Sequence, residues 1–471
     1  MSNRYITTAI PYVNGAPHIG HALDYILADI CSRYYKIQGD TVRFQAGTDE
    51  HGNKIFRKAA ESGLAVEDYV AGNVTKFQDF IHRLGVEYTD FVRTTDEQHI
   101  KRAQAIWEKL APHIYKNSYA GWYCEGCERF VTDKEHEENH GICPDHNAPY
   151  QSLSEENYYL RISDFKDRIE AAIKDGTMQI LPEFRKKEVL KLLADSPDVS
   201  VSRPVKQLSW GIPVPGDDTQ VIYVWIDALA NYLTVLGYPE QGIDDFWPPT
   251  AQFVGKDILR FHAIIWPAIL LGLGLPLPHL IHSHGFVLSN NQKMSKSIGN
   301  VVDPIAVLDA HGAEAFRYFF SRHIDAFSDS DFTWEKFENA YNNELANDLG
   351  NLVQRLATLC NKNQMQGFAD FTPVLDLEYK SLMDAHQYTR ALDFVWAKIQ
   401  SLNKKIDEEK PWVLAKTDPA AARVVLSELV SNLLLANFLL APFLPETSAK
   451  ISTVFTSAGV ISPAQPLFPK S

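Results

Sequence analysis

The sequence predicts an α/β protein: a doubly wound parallel sheet, split by an inserted zinc-binding domain and followed by an all-α helical bundle. Three observations carry this prediction. Strand-like and helix-like stretches alternate from the N-terminus and again after residue 221. Between these blocks sits a cluster of cysteines and histidines, "CEGCERFVTDKEHEENHGICPDH", and after Asp331 strand signals fade while helical periodicity runs on to near Leu444.

Taken in order, RYITTAI (4 to 10) has the apolar run of a buried strand, and GHALDYILADICSRYYKI, from about Gly20 to Ile37, has helical spacing. TVRFQAG forms the second strand and ends at GTDEHG (47 to 52), and a further helix begins near Lys54. In such sheets ligands sit at the carboxyl ends of strands, where PHIGH (17 to 21) and Asp49 fall. VIYVWIDALANYL, QFVGKDILRFHAIIWPAIL and HLIHSHGFVL make the second half of the sheet, and NNELANDLGNLVQRLATLC and AARVVLSELVSNLLLANFLL belong to the bundle. The expected boundaries are 1–115, 116–220 for the insert, 221–330, and 331–471.

At 471 residues, two to four domains are expected. A net charge of −14 excludes nonspecific coating of nucleic acid or anionic membrane, so any RNA contact must be local. The apolar run Ala263 to Pro278 is broken by prolines and glycines and reads as a buried helix leading into a buried strand, not a membrane span. With no secretion signal in the first residues, a cytoplasmic location is expected.

Five cysteines, three of them between 124 and 143, point to a metal site in preference to disulfides. Cys124 and Cys127 form a CxxC pair, Cys143 and His146 a CxxH pair, and such knuckles fit tetrahedral zinc, closed and structural. His136 and His140 are rival fourth ligands by spacing.

At the N-terminal loop, backbone N–H groups and a helix dipole suit phosphate, Gly20 permits close backbone approach, and His18 and His21 supply side-chain donors. KMSKS (293 to 297) sets Lys293 and Lys296 three apart on a loop that can close over a triphosphate. After the strand QFV, Gly255 and Asp257 are placed to meet an adenosine, although an Asp there also reads as a helix cap.

The pairing of PxxHIGH with KMSKS resembles the signatures of class I aminoacyl-tRNA synthetases, and TTAIPYVNGAPHIGH, GTDEHG, YVWIDALANY, FVGKDILRFHAIIWPA and EKPWVLAK are similar to the methionyl-tRNA synthetase family over nearly the whole chain. That resemblance implies a Rossmann-like catalytic sheet, ATP with Mg2+, L-methionine and tRNA(Met) as ligands, and one zinc ion per chain. It implies that His18 and His21 act at the α-phosphate while Lys293 and Lys296 hold the β and γ phosphates. Asp49 and the Tyr12 region take the α-amino group; Ile10, Tyr12, Val224, Trp225, Ala228, Leu229, Tyr232, Ile258 and His262 surround the thioether, which suits aromatic and aliphatic walls. On the bundle, Asn351, Arg355 and Trp412 match positions that read the anticodon, where bases stack and pair through their edges. By residue type alone, Trp412 reads equally as bundle core, while the apolar pocket positions and His262 read more often as core than as pocket. Lys186, Lys187, Lys191, Lys404 and Lys405 are solvated cations within reach of an RNA backbone. A monomer is expected. Of the rivals, a silent tRNA-binding relative would have lost His18, His21 or Lys296, a small-metabolite nucleotidyltransferase has no need of the insert or the bundle, and the large editing insertions of valine, isoleucine and leucine synthetases do not fit this length.

Overall fold

The computed structural model describes residues 1–124, 126–127, 129–294 and 300–469. Its central sheet contains β1 (Asn3–Thr8), β2 (Thr41–Thr48), β3 (Asp90–Arg93), β4 (Gln179–Leu181), β5 (Ala251–Gly255) and β6 (Leu280–His284), all parallel, in the order β3-β2-β1-β5-β6-β4. Side chains alternate across each strand, so one face carries Ile6, Phe44, Phe253 and Leu280, and the other Tyr5, Val254 and Ile281. The first face packs on helix α1 (Ile19–Ile37) and the bundle, the second on α2 (Val224–Thr234) and the apolar segment after β5. Both faces are covered, as a parallel sheet requires.

The chain leaves β1 toward β2 and returns to its other side only at β5. The strand order therefore reverses between β1 and β5, which is where a ligand crevice opens in such folds.

Within the 116–220 interval, Ile114–Cys124 pairs antiparallel with Gln151–Leu160 along a long ribbon, with the cysteines toward its tip. The interval is not wholly an excursion, because β4 lies inside it and pairs with β6 through Leu181 and His282. A three-residue strand carries too little periodicity to stand out in the sequence.

The run Ala263 to Pro278 folds as a π-helical turn (Phe261–Ile265), then a helix (Trp266–Gly272) with its first five residues buried, and the chain goes on into β6. Pro267, which has no N–H to give, sits just after the π-helical turn in a run that is already helical.

After the sheet come α3 (Pro304–Arg322), α4 (Asn351–Lys362), α5 (Tyr388–Glu409) and α6 (Pro419–Leu440) with shorter helices between them. Helix α6 is long and apolar enough by composition to cross a membrane, yet half of its most apolar window is buried in the protein. A buried ion pair fastens bundle to sheet. Arg317 of α3, with no exposed surface, pairs with Asp29 of α1 at 2.7 Å and donates to the carbonyls of Phe443 and Pro442 at 2.9 and 3.2 Å.

Candidate active site

The loop after β1 ends in a reciprocal cap on α1. Gly20 N–H donates to His18 Nδ1 at 3.2 Å, and His18 N–H donates to His21 Nδ1 at 3.1 Å. A neutral imidazole has one acceptor and one donor nitrogen, so these bonds place the hydrogen on Nε2 of both rings. The rings stack at 3.6 Å, and a Cβ on Gly20 would lie 3.1 Å from the His18 ring. Desolvation lowers the pKa of both; His21, also facing His18 and His284, lies well below 6.5, whereas His18, whose outer edge is open to solvent, is also pulled upward by Asp257. The pair is therefore two uncharged N–H donors at a helix N-terminus.

Across the strand reversal, β5 ends at Gly255, where a Cβ would lie 2.6 Å from Asp257 Oδ1, so a side chain there would have to displace that carboxylate from the strand end. Gly255 is in register with His284, whose Nε2 lies 3.4 Å from Asp24 of α1. His284 donates from Nδ1 to the Gly285 carbonyl at 2.9 Å. Burial opposes its protonation, but Asp24 outweighs burial and raises the pKa of His284.

KMSKS begins on a hairpin, Val287–Ser289 with Gln292–Lys293, whose turn residues Asn290 and Asn291 both have positive φ, 53° and 58°. The Lys293 ammonium lies 5.4 Å from the Phe286 ring centre, and Lys256, beside Asp257, lies 4.4 Å from the same ring and pairs with Asp329 at 2.7 Å. Phe286 thus joins the lysine loop to the end of β5. Lys296 lies outside the described residues.

Tyr12 forms a parallel bridge with Asp49, itself 3% exposed, at the end of β2. Ile10 covers Gly47, where a Cβ would lie 2.9 Å from its Cγ2. On α2, Val224, Ala228, Leu229 and Tyr232 are buried, and Trp225, half-buried, stacks on Phe261 at 3.6 Å and 9°. His262, in the π-helical turn, donates from Nδ1 to the Ile258 carbonyl at 3.0 Å, and burial lowers its pKa to about 4. Neutral Nε2 therefore accepts from the Tyr232 hydroxyl at 2.8 Å. Such π-helical turns recur at functional sites, where they re-aim a side chain.

At the ribbon tip, the ligand atoms of Cys124, Cys127, Cys143 and His146 all lie within 4.8 Å of one another. Cys127 Sγ is 3.5 Å from Cys143 Sγ and 3.4 Å from His146 Nδ1, near the edge lengths of a zinc tetrahedron, roughly 3.5–3.8 Å from bonds of about 2.0–2.3 Å. A Cβ on Gly126 would strike the His146 ring at 2.3 Å. His136 instead stacks on Trp122 at 3.9 Å. The four residues could hold a metal ion.

On the bundle, Asn351, Gln354, Arg355, Thr358, Leu359, Trp412 and Ala464 line an open groove of 570 Å³. The Arg355 guanidinium lies 4.6 Å from the Trp412 ring centre and pairs with Asp407 at 2.7 Å.

A sequence model of tRNA synthetases class I (M) matches residues 4–154 and 147–357, and one described as the anticodon binding domain of methionyl tRNA ligase matches 360–464. The chain belongs to the methionyl-tRNA synthetase family. Methionine–tRNA ligase of Caldanaerobacter subterraneus is 40% identical over 95% of this chain and 73% of its own length, and that of Brucella suis 37% over 95% and 90%. The Mycobacterium tuberculosis methionyl-tRNA synthetase in complex with methionyl-adenylate is similar over all of both chains, at 33% identity and a TM-score of 0.91.

In this synthetase the structure brings His18, Gly20, His21, Gly255 and Asp257 to one rim of the sheet, Tyr12 to Asp49, Tyr232 to His262, and Asn351, Arg355 and Trp412 to one groove. Sequence reasoning missed Asp24, Phe261, His284 and Phe286. The signal available was local: a histidine at the end of an apolar strand in HSHGF, and an aromatic beside His262 in RFHAI.

Proposed function

We propose that the chain activates L-methionine with ATP, giving methionyl-adenylate and pyrophosphate, and then transfers methionine to the 3′ end of tRNA(Met). The observation that supports this reading is the pair of neutral Nε2–H donors at the strand reversal, near Asp257 after β5 and His284 at the end of β6. The methionine carboxylate attacks the α-phosphorus, and the bond to the bridging oxygen of the β-phosphate breaks as pyrophosphate leaves. His18 and His21 meet charge developing on the α-phosphate oxygens. Donors fixed in advance are each worth about 10²–10³ in rate. Lys293 and Lys296 neutralise the departing β and γ phosphates, while Gly20, Gly255 and Asp257 seat the nucleotide. Because the nucleophile is the substrate's own carboxylate, positioning does the remaining work.

Asp49, with Tyr12, takes the ammonium group. The thioether lies among Ile10, Val224, Trp225, Ala228, Leu229, Tyr232, Ile258 and His262. In the second step the terminal ribose hydroxyl attacks the acyl carbonyl and AMP leaves. Asn351, Arg355 and Trp412 read the anticodon, with Trp412 offering its ring face to a base.

Mg2+ travels with ATP and offsets phosphate charge. One zinc ion per chain, held by Cys124, Cys127, Cys143 and His146, orders the ribbon tip and takes no part in the reaction. We assign residues 1–115 and 221–330 to the catalytic halves, 116–220 to the connective insert apart from β4, which joins the catalytic sheet, and 331–471 to anticodon binding, and read the protein as a cytoplasmic monomer. Charging of total tRNA with labelled methionine tests the assignment. Label on tRNA(Met) is expected; none, from folded protein with metal bound, contradicts it.

A further inference from the structure

Asp227 belongs to none of the groups above, yet it is 1% exposed and its carboxylate is engaged at both oxygens. Oδ2 lies 2.7 Å from His51 Nδ1 and Oδ1 lies 2.7 Å from His99 Nε2. A carboxylate only accepts, so both ring nitrogens donate. His99 Nδ1 then meets the Thr234 hydroxyl at 2.8 Å, two turns along α2 from Asp227, so one imidazole grips the helix at two points.

His51 provides the other end of the connection. It stands two residues after Asp49, and its N–H lies 3.4 Å from Asp49 Oδ1. Asp227, for its part, sits between Trp225 and Ala228 on α2. A buried charge is costly unless paired, and an apolar residue would pack α2 equally well. What the hydrogen-bonded link adds is direction: it fixes the β2 loop against the helix at one separation.

We propose that Asp227, through His51 and with His99 as its brace, is the positioning residue that sets the distance between the ammonium site at Asp49 and the thioether pocket on α2. The proposal rests on the methionine reading above. Methionine is the ligand that must satisfy both ends at once, so it is the substrate that senses the link, and ATP does not. The loop has independent anchors, among them Thr94 Oγ1 to the Glu50 N–H at 2.9 Å and the Trp210 carbonyl to the Gly52 N–H at 3.1 Å, so removing the link loosens a register and leaves the loop in place.

The test is methionine-dependent exchange of labelled pyrophosphate into ATP by the full chain, comparing wild type with Asp227→Asn and His51→Ala. Asp227→Asn is expected to raise KM for methionine about tenfold or more, with KM for ATP within about twofold, and to narrow the preference for methionine over ethionine, one methylene longer. His51→Gln, which retains a donor, should recover part of the loss seen in His51→Ala. An unchanged KM for methionine in folded protein, or parallel rises in both KM values, overturns the proposal. Should Asp227→Asn fail to fold, His51→Ala decides on the same split, because Asp227 keeps its charge and its bond from His99 at Oδ1. Absence of exchange in the wild type would instead remove the methionine reading itself.

Discussion

The histidine loop and the bundle groove each receive part of a nucleotide-bearing substrate in the proposed reaction, and they are built in opposite ways. At the loop, two backbone N–H bonds fix both imidazoles before anything binds, and the rings stack at 3.6 Å. In the groove, Asn351 is exposed and Trp412 half-buried, and Arg355 is restrained by a ring face and by Asp407, whose side chain is 66% exposed. Charge developing in a transition state is stabilised by donors that need not reorganise. Unstacked bases need open faces with some freedom to adapt. The difference teaches that rigidity in this molecule follows the chemistry and exposure follows recognition.

The two regions belong to one molecule through the apolar core that the sheet face and α1 share with the bundle, and Arg317 adds a buried polar tie within it. Removing its partners' countercharge leaves Asp29, itself fully buried, facing Arg33 alone. Arg317→Ala is expected to cost about 3–5 kcal/mol of stability, read by denaturant unfolding. A cost below about 1 kcal/mol would show that the buried pair adds little to the apolar contact between sheet and bundle.

At the loop, His21→Ala deletes one Nε2–H donor and half of the cap. Pyrophosphate exchange is expected to fall about 10²–10³-fold with tRNA binding unchanged. Trp412→Ala should do the reverse and by less: loss of a stacking face worth about 1–3 kcal/mol raises KM for tRNA while exchange stays level. If Trp412→Ala depressed exchange as strongly as charging, the separation of the two sites would fail.

A further effect, on the fold and not on either site, concerns pH. Burial lowers the pKa of His262 and His386 to about 4 and that of His282 well below 6.5. The unfolded chain takes up these protons near 6.5, whereas the folded protein resists until near 4 or lower. Stability from these groups is therefore complete above about pH 6.5 and is lost as pH falls toward 4. The unfolding midpoint should drop over that interval, and His386→Asn should flatten part of the drop.

Much of this was legible before any fold was known, because local signals are strong where chemistry demands particular residue types. Apolar periodicity located β1, α1, β2 and the bundle stretches at 342–360 and 421–440 to within a few residues, and CxxC with CxxH spacing named four residues whose ligand atoms converge at the ribbon tip, although spacing alone left His136 and His140 as rivals for the fourth place. What stayed hidden is non-local or short. β4 has three residues, and its place in the sheet depends on pairing with a strand about a hundred residues later. KMSKS reads as a loop, although its first residue, Lys293, closes a tight hairpin turned by two asparagines at positive φ. The joining of Lys256, Lys293 and Asp329 around Phe286 and the linking of Asp227 to His51 and His99 arise from contacts between distant segments, which periodicity does not encode.

The central claim is that the neutral histidine pair, with Asp49 and the α2 pocket behind it, activates methionine. The most direct measurement is amino-acid-dependent exchange of labelled pyrophosphate into ATP, run without tRNA across all twenty amino acids. Exchange with methionine, and with no other amino acid at comparable rate, is the predicted result. Exchange with none of the twenty, from folded protein with its metal in place, would contradict the account and leave a tRNA-binding relative without activation chemistry.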